Sequence, residues 1–237
     1  MLLDPKQLKD DLDRLEEIEK ASLRLVVQAI YDYRETAAEV FREERDWVAD
    51  IGEDITREAL DKMGVARIDQ RLFGKIDYKR ARYLFHPDYA IRQALFVDSK
   101  AEKVSGQGTA TLQTSQFSMT VRQVRGGRSI EAEGSLPEIL TVRGTGYITT
   151  TIFVKYNYEE TSDDNVLKSI TVAAVPNGLL QERYNPTPQD TIWLAGRNAP
   201  SRGEAFRVRL SFHRLKAKAG WRVQRISLSS PGFVWYD

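Results

Sequence analysis

Leu8, Leu12, Leu15, Ile18, Leu25, Val26, Ala29, Ile30 and Tyr33 recur at three- and four-residue steps. That period lays one apolar stripe along a helix, and the many Asp and Glu residues between them make its other side acidic. Asp4 followed by Pro5 is a start signal, because a carboxylate can cap open N–H groups and proline is tolerated in the first turn. The spacing predicts one long or once-broken helix from about residue 5 towards Trp47, its stripe packed on its own domain or on a second subunit. A second helix is predicted over 52–63, with Gly64 as its C-cap.

The pattern then changes. Residues 78–85 and 91–97 read as strands, with His86, Pro87 and Asp88 as turn chemistry between them. If the chain folds back near Pro87 and Asp88, cross-strand partners have numbers summing to about 175. Asp77 then faces Asp98, and Lys100 points to the same side two residues further on. Residues 105–119, rich in Gly, Ser, Thr and Gln, read as a surface loop. Strands are expected over 117–124, 147–158 and 168–175, with Gly126 and Gly127 in a turn. A short helix over 176–184 ends at Asn185 and Pro186. A last strand over 205–214 points Phe206, Val208, Leu210 and Phe212 inward, with Arg207, Arg209 and Ser211 on its other side.

A chain of 237 residues can bury one full α/β core and is short for two. The expectation is one domain over 1–237, helical at about 5–63 and sheet-based at about 66–237. No run of 18 apolar residues and no secretory leader pattern occurs, so no membrane partner and a cytoplasmic location are expected. With no cysteine, disulfides, thiolate nucleophiles and cysteine zinc sites are excluded. His86 and His213 are the only histidines, which argues against a histidine metal cage or a Ser-His-Asp triad. Any chemistry falls to carboxylates, amines, guanidinium groups and hydroxyls.

The net charge of +1 conceals a strong polarity. Residues 1–62 hold 10 Lys/Arg against 18 Asp/Glu, and residues 197–225 hold nine Lys/Arg against Glu204 alone. A localised basic region is what phosphate binding requires. Two opposed carboxylates and an ammonium suit metal-assisted phosphodiester hydrolysis, since Mg²⁺ takes oxygen ligands and a nearby amine can orient or deprotonate water. The plainer alternative for Asp98-Ser99-Lys100 is a solvated strand end. Asp88 is excluded as the first acid, lying about ten residues, roughly 30 Å of strand, from Asp98. Glu53 is a candidate third acid, or simply an acid placed near a helix start where the dipole favours it. Gln113, Thr114, Ser115 and Gln116 are candidates to hydrogen-bond bases or phosphates, with a plain surface loop as the alternative. Arg197, Asn198 and Arg202 lie in a loop over 194–204, where arginine could read guanine edges; Arg207 and Arg209 suit phosphates or bases from a strand.

Longer segments carry a more specific signal. Glu-Asp-Ile-Thr at 53–56, Ile-Asp-Tyr-Lys-Arg at 76–80, Val-Asp-Ser-Lys-Ala at 97–101 and Thr-Leu-Gln at 111–113 resemble, in order, the SfiI-like type II restriction endonucleases of the PD-(D/E)XK superfamily. So do Thr-Ile-Phe-Val at 151–154, Leu-Lys-Ser-Ile at 167–170, Arg-Tyr-Asn-Pro at 183–186 and Arg-Gly-Glu at 202–204. The resemblance implies an α/β fold with a mixed central sheet flanked by helices and extra β-hairpins, in the branch related to BglI and EcoRV. It implies Mg²⁺ on Asp77 and Asp98, with Lys100 completing the site; the Ser99 carbonyl is a candidate further ligand. It also implies cleavage of double-stranded DNA at an interrupted GC-rich palindrome, leaving 3′ overhangs. A homodimer is expected because a palindrome demands matched subunits; the family's homotetramer is the alternative, since the chain ends soon after Trp235, ahead of the longer tail in that family. The rival from another class is a DNA-binding protein that keeps the fold without cutting.

Overall fold

A computed structural model describes residues 2–44, 48–64, 81–106, 108–162, 164–194, 207–230 and 232–237. Helices come from the acidic N-terminal region. Asp4 Oδ1 accepts the Lys6 N–H at 3.0 Å and opens a 3-10 turn, Pro5–Lys9. Asp11 then caps α1 (Leu12–Asp32), accepting the Arg14 N–H at 3.1 Å. After Tyr33 come α2 (Arg34–Glu43) and α3 (Val48–Lys62). The expected helix is therefore interrupted twice. One interruption falls at Asp10 and Asp11, a residue type that favours caps over helix interiors. The other falls at Tyr33, whose hydroxyl reaches across to Glu58 of α3. Because α3 starts ahead of residue 52, Glu53 lies inside the helix. Gly64 closes it with a φ of 75°, the left-handed conformation that glycine adopts without penalty.

The strands are β1 (Ala81–His86), β2 (Ile91–Lys103), β3 (Thr109–Gln113), β4 (Thr120–Arg125), β5 (Arg128–Glu133), β6 (Ile139–Val142), β7 (Thr145–Glu160) and β8 (Asn165–Val175). Then follow α4 (Gln181–Tyr184), β9 (Trp193–Leu194), β10 (Arg207–Ser211), α5 (Phe212–Lys218) and β11 (Val223–Ser227). The central sheet runs β1-β2-β7-β8-β11, with β6 beside the start of β7. Only β2 and β7 pair in parallel among its described strands, so the sheet is mixed. One face carries Leu95, Val97, Ile152, Val154 and Val172 against Val26, Ile30 and Ile55 of the helices. On the other, Phe153, Ala173 and Val223 meet Leu112, Val208 and Leu210, from a small sheet ordered β3-β10-β9, together with Leu215 of α5. Strands covered on both sides read as near-continuous apolar runs, and β7 does so.

The β1–β2 hairpin forms as expected, in a shifted register. Ala81 pairs with Phe96 and His86 with Ile91, so partner numbers sum to 177. The turn occupies residues 87–90, where Ala90 takes a φ of 51° and donates its N–H to the Pro87 carbonyl at 3.2 Å. Asp77, expected opposite Asp98, lies outside the described residues.

Two expectations are corrected. The segment over 105–119 is not one loop: Ala110 and Leu112 are buried between half-buried Thr109, Thr111 and Gln113, which makes β3. The strand expected over 205–214 ends at Ser211, whose hydroxyl accepts the Arg214 N–H at 3.3 Å and caps α5. Among the described residues, no helix is long and apolar enough to cross a membrane.

Candidate active site

Strand β2 presents different chemistry to its two sides. Ser99 turns towards α3, its hydroxyl 2.8 Å from Thr56 Oγ1, which in turn lies 2.8 Å from the Tyr156 hydroxyl. Burial pushes the Tyr156 phenol well above its ordinary range, so this chain of hydroxyls stays neutral. Asp98 and Lys100 alternate to the opposite side. Lys100 Nζ there donates to the Thr111 carbonyl of β3 at 2.8 Å. Asp98 is 4% exposed and Ser99 2%, which overturns the reading of this stretch as a solvated strand end.

Helix α3 lies tight against the same strand because Gly52 has no side chain. A β-carbon there would sit 3.1 Å from Tyr156 Cδ2 and 3.3 Å from the Ala101 nitrogen. The close approach puts Glu53 in a crevice lined also by Thr56, Arg57, Arg82, Val97 and Ser99. Glu53 is thus on the α3 side of β2, the side away from Asp98 and Lys100. Among the described residues, no three acidic or imidazole side chains gather closely enough to hold a metal ion. Asp98 and the Ser99 carbonyl are hard oxygen donors, so their chemistry fits Mg²⁺.

Beside Lys100, in the parallel register, stands Lys155 of β7. Its side chain is 1% exposed and pairs with the Glu102 carboxylate. It also donates to the carbonyls of Gly106 at 2.6 Å and Thr109 at 2.5 Å. Burial holds its ammonium below the usual lysine range, Glu102 opposes that, and the positive charges of Lys100 and Arg209 reinforce it. Arg209 is exposed on β10 opposite Thr111, and half-buried Arg207 is opposite Gln113. Gln116 Oε1 accepts the Gln113 N–H at 2.8 Å, and the Gln113 side chain accepts the return bond from the Gln116 backbone. Both side chains thereby close the turn that holds half-buried Ser115.

A family model for the type II restriction enzyme SfiI matches residues 32–226. The chain belongs to the SfiI family of type II restriction enzymes. SfiI of Streptomyces fimbriatus is 36% identical along an alignment of 234 positions that covers 92% of this chain and 86% of that protein. The structure of tetrameric SfiI bound to cognate DNA superposes with a TM-score of 0.83 at 33% identity, over 100% of this chain and 91% of that one. BglI bound to its DNA recognition sequence gives 0.73 at 17% identity over 95% of both chains, a likeness of fold. As an SfiI-family member the chain is a type II site-specific deoxyribonuclease, on the mixed α/β fold that the motifs implied.

The SfiI-family sheet brings Asp98 and Lys100 to one side of one strand, with Arg209 above the same region. Gln113, Ser115 and Gln116 lie at the far end of β3, by Arg207. Arg197, Asn198 and Arg202 lie outside the described residues. The basic stretch is in part structural. Arg222 is fully buried against Glu19 at 2.7 Å, Arg214 donates to the Thr191 and Trp193 carbonyls, and Lys218 pairs with Asp190 at 2.6 Å. Sequence reasoning missed Lys155. Its one signal is a lysine inside the apolar run of β7, Ile-Phe-Val-Lys-Tyr.

Proposed function

We propose that this SfiI-family enzyme hydrolyses both strands of double-stranded DNA at an interrupted GC-rich palindrome, leaving 5′-phosphates and 3′ overhangs. The observation that carries the catalytic assignment is the pairing of a buried carboxylate, Asp98, with Lys100 on one side of β2, the ammonium held 2.8 Å from the Thr111 carbonyl. Asp77, Asp98 and the Ser99 carbonyl are the groups proposed to hold Mg²⁺. When bound, the ion supplies charge stabilisation at the scissile phosphate and a lowered pKa for water. Lys100 orients the attacking water or accepts its proton. Glu53, across β2 from Asp98 and Lys100, is left out of the proposed metal site. Arg197 and Arg202 read base edges with Asn198 beside them, and Arg207 and Arg209 contact phosphates or bases, with Gln113, Ser115 and Gln116 nearby.

A palindrome demands matched subunits, so the proposed assembly is a homodimer, or a tetramer as in the DNA-bound relative. The whole chain acts as one endonuclease unit in the cytoplasm. The test is incubation of mapped plasmid DNA with Mg²⁺, which yields discrete fragments. Asp98→Ala and Lys100→Ala abolish or slow cutting, by about 100- to 10,000-fold for Lys100, while specific binding in Ca²⁺ persists. Cleavage without sequence preference would refute the restriction reading. Specific binding with no cutting under any divalent ion would instead mark a non-cleaving DNA-binding protein.

A further inference from the structure

The geometry points to Lys155 as a positioning residue that couples sequence discrimination to cleavage by locking the β3–β10 layer onto the catalytic strand. This rests on the reading of Lys100 as catalytic and of β10 as DNA-facing.

Lys155 occupies the middle of β7, next to Lys100 in the parallel ladder. A sealed ammonium is a poor choice for packing alone, because an apolar side chain of the same length avoids the loss of hydration. Here the charge has three acceptors: Glu102, the Gly106 carbonyl at 2.6 Å and the Thr109 carbonyl at 2.5 Å. The two carbonyls flank the entry to β3. Two residues beyond Thr109, the Thr111 carbonyl accepts from Lys100 at 2.8 Å. Ammonium groups from adjacent strands of the central sheet therefore grip the same short strand. β3 is paired along its length with β10, from Arg207 opposite Gln113 to Ser211 opposite Thr109. A shift of β3 moves the acceptor of Lys100 and the seat of Arg209 together. Lys155 touches neither reacting atoms nor DNA in this account; it acts through β3.

The test compares full-length Lys155→Met, Lys155→Gln and Lys100→Ala enzymes, using the cognate duplex identified by the fragment map. The competent fraction is titrated with that duplex in Ca²⁺. Single-turnover cleavage in Mg²⁺ is then expressed per competent molecule, and discrimination is the ratio of affinities for the cognate duplex and one with a single base pair changed. Lys155→Met is expected to lose about 100-fold in rate, the scale of an ångström misplacement. It is also expected to lose about tenfold in discrimination, while Lys155→Gln, which keeps a donor for one carbonyl, retains part of both. Lys100→Ala loses rate alone. Unchanged rate and discrimination per competent molecule in Lys155→Met, even with a lower melting temperature, would overturn the proposal; so would loss of rate with discrimination intact. If Lys155→Met does not fold, Lys155→Gln decides by the same two readings. Normal cutting by Lys100→Ala would instead overturn the catalytic reading beneath it.

Discussion

Arg222 and Arg209 come from the same basic stretch and finish in opposite surroundings. Arg222 is sealed, 2.7 Å from Glu19 and 3.3 Å from Glu16, with its guanidinium 4.3 Å from the Tyr184 ring centre. Arg209 is exposed on β10 near Lys155 of β7. The acids that claim Arg222 belong to α1, far away in sequence, so part of the acidic-to-basic polarity of the chain is spent joining its two ends. The basic surface left for DNA is smaller than the charge balance suggested. A charge run identifies cations, and only the fold says which of them have already found a carboxylate.

The sharpest way to break this contrast is to remove the sealed cation. Arg222→Ala strands the buried Glu19 carboxylate, and burial already raises the Glu19 pKa above its ordinary value. The expected cost is about 3–5 kcal/mol of stability, read from urea unfolding. Molecules that remain folded should bind DNA as before, and unchanged stability would end the distinction. Arg209→Ala should do the reverse. Unfolding is expected to be unaffected, while specific binding weakens by about 1–3 kcal/mol if the guanidinium reads a base. If it contacts a phosphate, the salt dependence of binding falls by about one unit instead.

The smallest effect concerns a half-buried polar group on the α1 side. His86 Nε2 lies 2.9 Å from Gln93 Oε1, which also accepts from the Ser22 hydroxyl at 2.8 Å. Burial lowers the His86 pKa below its ordinary 6.5, against opposing pulls from Gln93 and Asp88. Between that lowered value and 6.5 the unfolded chain holds more protons than the folded one. Stability contributed at neutral pH is therefore lost as pH falls below about 6.5. Urea midpoints at mildly acidic and neutral pH should show a shallow slope in the native enzyme that is reduced in His86→Gln. An identical slope in both would assign it to other groups.

Local patterns carried much of the architecture. Residues 147–158 and 168–175 read as strands and are found as Thr145–Glu160 and Asn165–Val175, because strands buried on both sides must be apolar throughout. The Asp98-x-Lys100 spacing was legible for a similar reason: a period of two puts both on one side of any strand. β3 escaped notice because its Thr and Gln residues outweigh two buried apolar positions, and the β10–α5 boundary depends on the cap that Ser211 makes.

What the sequence by itself determined is the family, the order of the main strands along the chain and the placing of Asp98 and Lys100 on one side of β2, all set by short-range periodicity or ordered segments. Only the tertiary structure decided that Lys155 grips β3, that Glu53 approaches from the α3 side and that Arg222 is structural while Arg209 is exposed. Burial and ion pairing are properties of long-range neighbours, and a lysine or arginine is chemically the same residue until the fold chooses them.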